Sequence, residues 1–104
     1  MPRDHEQDAK VFKALCNPYR LQALELLQSG EKCACDLNEA IDLSPSTLSH
    51  HMRILVESGI VTARQDGKWV HYSISKEGSR NAMELLADLT RVTPDPSFIS
   101  ACDR

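Results

Sequence analysis

The 104-residue chain has no apolar run near the length of a bilayer span, so no helix is expected to cross a membrane. Met1 to Lys10 is polar and charged, without the apolar core of a secretory leader, and a cytoplasmic protein is expected. There are no internal repeats and no low-complexity tracts, which leaves one globular domain. A chain of this size buries roughly two-thirds of its unfolded surface and needs no covalent staples. Its four cysteines therefore read as ligands or redox groups in a reducing compartment, not as a disulfide framework. Excess positive charge is also missing. The net charge of −3 argues mildly against a nucleic-acid binder.

The distribution of that charge argues the other way. From Ser44 to Lys76, Arg53, Arg64, Lys68 and Lys76 stand against Glu57 and Asp66, a local +2 that leaves −5 for the rest. His50, His51 and His71 add donors to the same segment. A basic face on an acidic body can still track phosphates.

Periodicity orders the chain. Residues 6–15 carry Val11, Phe12 and Leu15 on one side, a first helix. Asn17-Pro18 is a cap followed by a first-turn proline, and Leu21, Ala23, Leu24 and Leu27 predict a second helix ended at Ser29-Gly30. A short third helix is expected over 35–42, with Leu37, Ala40 and Ile41 inward. Ser44-Pro45 repeats the cap-plus-proline signal, and Leu48, Met52, Leu55 and Val56 form the buried stripe of a fourth helix. Residues 60–64 and 69–74 read as strands joined across Asp66-Gly67. A last helix, about 75–90, carries Ala82, Leu85, Leu86 and Leu89. This is the order ααααββα of a winged helix-turn-helix, mainly α with a β-hairpin wing. It occupies residues 1–92, ahead of an irregular tail over 93–104. The first and last helices carry more apolar surface than a small core needs, and the surplus predicts a homodimer interface.

Off the apolar stripe of the fourth helix lie Ser46, Thr47, Ser49, His50 and Arg53. Toward the N-terminus of a recognition helix, these are candidate contacts to operator phosphates and base edges. A solvated polar face has the same composition. The hairpin that follows favours DNA: Arg64, Lys68 and the Asp66-Gly67 tip make a basic wing. Trp69 and Tyr72 read as packing residues of the strands. His51 is either a further DNA contact or a bridge to helix packing.

Cys33-Ala-Cys35 stands where the third helix begins. Thiolates bind soft ions, and a helix N-terminus stabilises them. The other reading of the pair is two small buried hydrophobes. Two residues apart on a regular helix, the side chains point about 200° apart, so joint binding needs an extended helix start and couples to the recognition helix. Cys16 reads as a buried packing residue. Cys102 lies in the tail, where packing does not require a cysteine. No histidine–acid partner set accompanies either thiol of the pair, so an enzyme is not expected.

The stretches FKALCNPYRLQALELL (12–27), EKCACDL (31–37), SPSTLSHHMRILVESG (44–59) and GKWVHYSI (67–74) together resemble the ArsR/SmtB family of small dimeric winged-helix metal sensors. The resemblance covers about residues 8–90. EKCACDL looks like the arsenic box of arsenite and antimonite sensors. It implies Cys33 and Cys35 as ligands of As(III) or Sb(III), no organic cofactor, and a repressor that leaves its operator when the metalloid binds. Many arsenic boxes have a third cysteine three residues after the second, where this chain has Asn38. In some family members a C-terminal cysteine completes the site across the dimer, which places Cys102 ahead of Cys16 as third ligand. Residues 76–91 contain no histidine, unlike the last-helix site of zinc and nickel members. A thiol redox or persulfide sensor on the same fold is the alternative.

Overall fold

The computed structural model describes residues 2–104; Met1, the first residue of the expected domain, lies outside it. The elements are α1 (His5–Leu15), α2 (Pro18–Leu27), β1 (Lys32–Cys33), α3 (Ala34–Ala40), α4 (Pro45–Glu57), β2 (Val61–Asp66), β3 (Trp69–Ile74) and α5 (Lys76–Leu89), followed by a 3₁₀ turn at Ala101–Asp103. The expected helices and hairpin are all present. The addition is β1, which joins the hairpin in a three-stranded antiparallel sheet of order β1-β3-β2. Two residues are too short for an alternation signal, so β1 exists through its partner and not through its own pattern.

Each helix start is built from the residue types that the sequence displays. Asn17 accepts from the backbone N–H groups of Tyr19 and Arg20, with Pro18 in the first turn. Ser44 accepts from Thr47 ahead of α4, and Ser75 from Gly78 ahead of α5. Each cap satisfies donors that the first helical turn leaves open. The wing tip is a two-residue turn at Gly67-Lys68, since Asp66 pairs directly with Trp69. Gly67 takes the positive φ (62°) that such turns place at their first central position.

The core gathers Ala14, Ala23, Leu27, Leu37, Ile41, Leu48, Met52, Leu55, Val61 and Tyr72 around the α4 stripe. Two residues expected inward, Leu21 and Ala40, are exposed. In α2 the buried residues are Arg20, Ala23 and Leu27, which share one face, and Leu21 lies about a third of a turn off it. In α3 the helix is short and only Leu37 is buried within it. Phe12 and Leu15 on α1, and Met83, Leu86 and Leu89 on α5, remain exposed. Among the described residues, no helix is long and apolar enough to cross a membrane.

Candidate functional site

Two sites share one sheet. At the first, the chain enters α3 through Cys33, which is extended (φ −69°, ψ 150°) and acts as the N-cap. Its sulfur accepts from the Cys35 N–H at 3.3 Å, and its own N–H donates to Asp36 Oδ2 at 3.1 Å. Only Cys35 belongs to the helix. The expected opposition of two helical side chains is therefore absent: the start is already extended, and the Cys33 sulfur lies over the Cys35 backbone N–H. The Cys33 side chain first, then some loss of hydration and the nearby Cys33 and Asp36 charges, raise the exposed Cys35 thiol above its ordinary value. The expectation that the helix end eases its ionisation is thereby corrected. The Asp36 N–H does favour the thiolate, but a neighbouring sulfur and carboxylate outweigh it.

The remaining cysteines stand elsewhere. All four are free, and Cys16 is exposed, not a packing residue, because it follows the last residue of α1 at the turn into α2. Cys102 is exposed in the 3₁₀ turn of the tail. Asn38 donates to the Leu43 carbonyl at 2.8 Å and so ties α3 to the turn before α4. Among the described residues, no group of three histidine, cysteine, aspartate or glutamate side chains is gathered to hold a metal.

At the second site, α4 presents Ser46, Thr47, Ser49, His50 and Arg53 to solvent. Ser46 and Thr47 are partly engaged already: the Ser44 hydroxyl donates to Thr47 Oγ1 at 2.8 Å and lies 3.3 Å from Ser46 Oγ. Ser49, His50 and Arg53 make no side-chain hydrogen bond within the described residues and are free to meet a ligand. His51 is different. It is half-buried, its Nδ1 is 2.8 Å from Arg20 Nη1, and its ring makes tilted contacts with those of Tyr19 and His50, each at 5.8 Å between centres. Of its two expected roles, the structure gives it the bridge to helix packing.

Arg20 is the residue that sequence reasoning missed. It is the one buried charged side chain among the described residues, and it also donates to the Ala14 and Lys13 carbonyls at the end of α1. An arginine within an apolar helix pattern carries no signal of its partners, which come from two other helices.

The wing places Lys68 at its tip, with its ammonium 5.0 Å from the centre of the Trp69 ring. Trp69 is 48% exposed, so it is not the packing residue expected; Tyr72, buried, is. The difference follows from register, because Trp69 is the first residue after the turn and lies beyond the core. Arg64 sits back from the tip. It donates from Nη2 and Nε to Glu31 at 2.6 and 3.3 Å, and this pair holds the Glu31 carboxyl below its ordinary value. His71 Nδ1 is 3.8 Å from the same carboxylate. Register explains the convergence: Cys33 pairs with His71 on β3, and His71 pairs with Arg64 on β2. The thiol segment is thus an edge strand of the wing.

A family profile described as "Bacterial regulatory protein, arsR family" matches residues 17–63, from the α2 cap into the wing. An arsenical resistance operon repressor of Staphylococcus xylosus is 42% identical over 73 residues, covering 70% of each chain. The chain belongs to the ArsR family of bacterial regulatory proteins. A solved structure titled as a possible transcriptional regulator for arsenical resistance superposes with a TM-score of 0.71 at 29% identity, covering 80% of this chain and 86% of that one. The homodimeric winged helix-turn-helix domain of a possible ArsR-family regulator from Mycobacterium bovis gives 0.66 at 34%, covering 80% of each. As an ArsR-family member the protein is a DNA-binding transcriptional repressor and not an enzyme.

Proposed function

We propose that this repressor binds a palindromic operator as a homodimer and releases it when As(III) or Sb(III) bonds to the thiolates of Cys33 and Cys35. The carrying observation is the pair itself: two free thiols at an extended helix start, with Cys33 also on the edge strand of the wing. The arsenical resistance repressors among its relatives support the choice of inducer. Bonding recruits the Cys33 sulfur lone pair that now caps α3 and displaces the thiol protons. Both α3 and β1 must adjust, one beside the recognition helix and one within the wing. A coupling of about 1–3 kcal/mol between the sites is enough to change operator occupancy. Cys102 of the tail serves as the third thiolate in this reading, ahead of Cys16; Asn38 is committed to Leu43.

In the complex, Ser46, Thr47, Ser49, His50 and Arg53 face the major groove and Arg64 and Lys68 the flanking phosphates. The exposed apolar residues of α1 and α5 meet those of a second copy, and the protein works in the cytoplasm. The test is release of an operator duplex by arsenite under reducing conditions. Cys33→Ser and Cys35→Ser are expected to bind operator normally and to lose arsenite release. Retained release in either variant overturns the ligand assignment. Release of the parent protein by an oxidant but not by arsenite favours the thiol redox or persulfide reading.

A further inference from the structure

The Arg20–His51 contact ties the recognition helix to the body of the domain, on a side away from the proposed DNA contacts. Arg20 is buried, 6% exposed, and each nitrogen of its guanidinium is committed. Nε donates to the Ala14 carbonyl at 3.0 Å, Nη2 donates to the Lys13 carbonyl at 2.8 Å, and Nη1 lies 2.8 Å from His51 Nδ1. A guanidinium offers only donors, so Nδ1 must accept and the neutral ring carries its proton on Nε2. Tyr19 of α2 and His50 of α4 lie beside the ring, and the charges acting on it are those of Arg20 and His50. Among the described residues, no charge from α1, α3 or β2, which also pack on α4, acts on it.

We infer that His51 is an acid-responsive positioning residue of the recognition helix: as a neutral ring it locks α4 to Arg20 in the pose that meets the operator, and as an imidazolium it loosens α4 and weakens operator binding. An imidazolium has no acceptor to offer and sets two cations in contact. Arg20 is buried and cannot withdraw without giving up both carbonyls at the end of α1. The recognition helix is therefore the partner that gives way. Thr47 lies one turn before His51 on the same side of α4, and His50 is its neighbour; both belong to the surface proposed to meet DNA. A rotation of α4 by about 10° moves a side-chain atom about 5–6 Å from the axis by about 1 Å. A shift of that size takes hydrogen bonds to bases and phosphates out of range. The lowered pKa of His51 keeps the ring neutral, and α4 in place, at neutral pH. None of the thiol chemistry enters, so the inference stands apart from the metalloid reading.

The experiment measures operator affinity of the full chain, without metalloid, at about pH 7.5 and about pH 5.5, on either side of the histidine range. Circular dichroism follows helicity on the same samples. The parent is expected to bind about fivefold more weakly at the lower pH, the scale of partial proton uptake by two His51 rings in a dimer. Protonation of the exposed His50 near phosphates predicts the opposite sign, tighter binding in acid. In His51→Gln the amide oxygen replaces Nδ1 as acceptor and does not titrate. Its acid-to-neutral affinity ratio is expected to be close to one, or reversed. Comparing ratios cancels any change in affinity at neutral pH. Parent binding that is unchanged or tighter in acid overturns the inference, as does the same acid loss in His51→Gln. Ring-proton NMR decides the matter if acid also lowers helicity. On the operator His50 is expected to titrate at higher pH than off it, and His51 at lower pH, because binding that selects the neutral ring lowers its proton affinity reciprocally. An unchanged or raised His51 midpoint on the operator overturns the inference.

Discussion

Two adjacent histidines on α4 sit in different surroundings, and chemistry separates them. His50 is exposed, while His51 is half-buried against Arg20 and Tyr19. Burial first, then the Arg20 and His50 charges, lowers the His51 pKa below its ordinary 6.5. The neutral ring accepts from Arg20, and the imidazolium cannot. As pH falls, the unfolded chain takes up this proton before the folded one does. The contribution is therefore complete above pH 6.5 and is lost as pH drops through the lower folded value. His51→Gln keeps an acceptor for Arg20 without titrating. Its urea midpoint is expected to vary less than the parent's between about pH 5 and 7, the histidine range. An undiminished slope assigns the dependence to another group. Gly78 makes a steric point at the same scale. A Cβ there would overlap the Gly59 carbonyl oxygen, where α5 starts against the end of α4. Gly78→Ala is expected to lower stability by about 1–3 kcal/mol, in spite of alanine's better helix propensity. Chemical denaturation measures it, and a stabilised variant excludes that close approach.

Among the elements, β1 changes how the thiol segment relates to DNA binding. Glu31, just ahead of it, holds Arg64 of β2 and lies near His71 of β3. The basic wing expected from residue types is partly neutralised by a carboxylate 33 residues earlier. Glu31→Gln is expected to free Arg64, tighten binding to any duplex, and steepen the salt dependence by about 0.9, the slope of one added phosphate contact. Titration of a labelled duplex across salt concentrations measures it. An unchanged slope means that Arg64 already reaches phosphate in the complex. Lys68→Ala is expected to shift the slope by a similar amount in the opposite direction, because its ammonium engages only the Trp69 face. An unaltered slope removes Lys68 from the phosphate contacts.

The whole molecule is elongated, 61 × 24 × 20 Å, with a radius of gyration of 17.9 Å against about 13 Å for a compact chain of this length. The tail exposes Val92, Phe98 and Ile99, while α5 exposes Met83, Leu86 and Leu89. Such surface suits an association partner better than solvent. Leu86→Glu places a charge on the proposed interface. It is expected to shift the protein to monomer in sedimentation and to weaken operator binding together with it. A dimer that persists with full affinity moves the interface away from α5.

The helices, their caps and the wing were legible in the sequence because each rests on local rules. A capping side chain reaches two or three residues, a first-turn proline acts at its own position, and an apolar stripe repeats every turn. Asn17-Pro18 and Ser44-Pro45 therefore mark helix starts that the structure reproduces. The position of Cys33 and Cys35 at the head of α3 was legible on the same grounds. Their geometry was not. The pairing of Cys33 with β3, the exposed Trp69 and the Arg20–His51 bond depend on strands and helices that meet only on folding. Residues 31, 33, 64 and 71 are distant along the chain, and antiparallel register alone makes them neighbours. The sequence by itself determined the helices, the hairpin, the family and the thiol pair. Tertiary structure decided which charges are spent within the chain and that the thiol segment belongs to the wing, because both rest on residues that only strand register brings together.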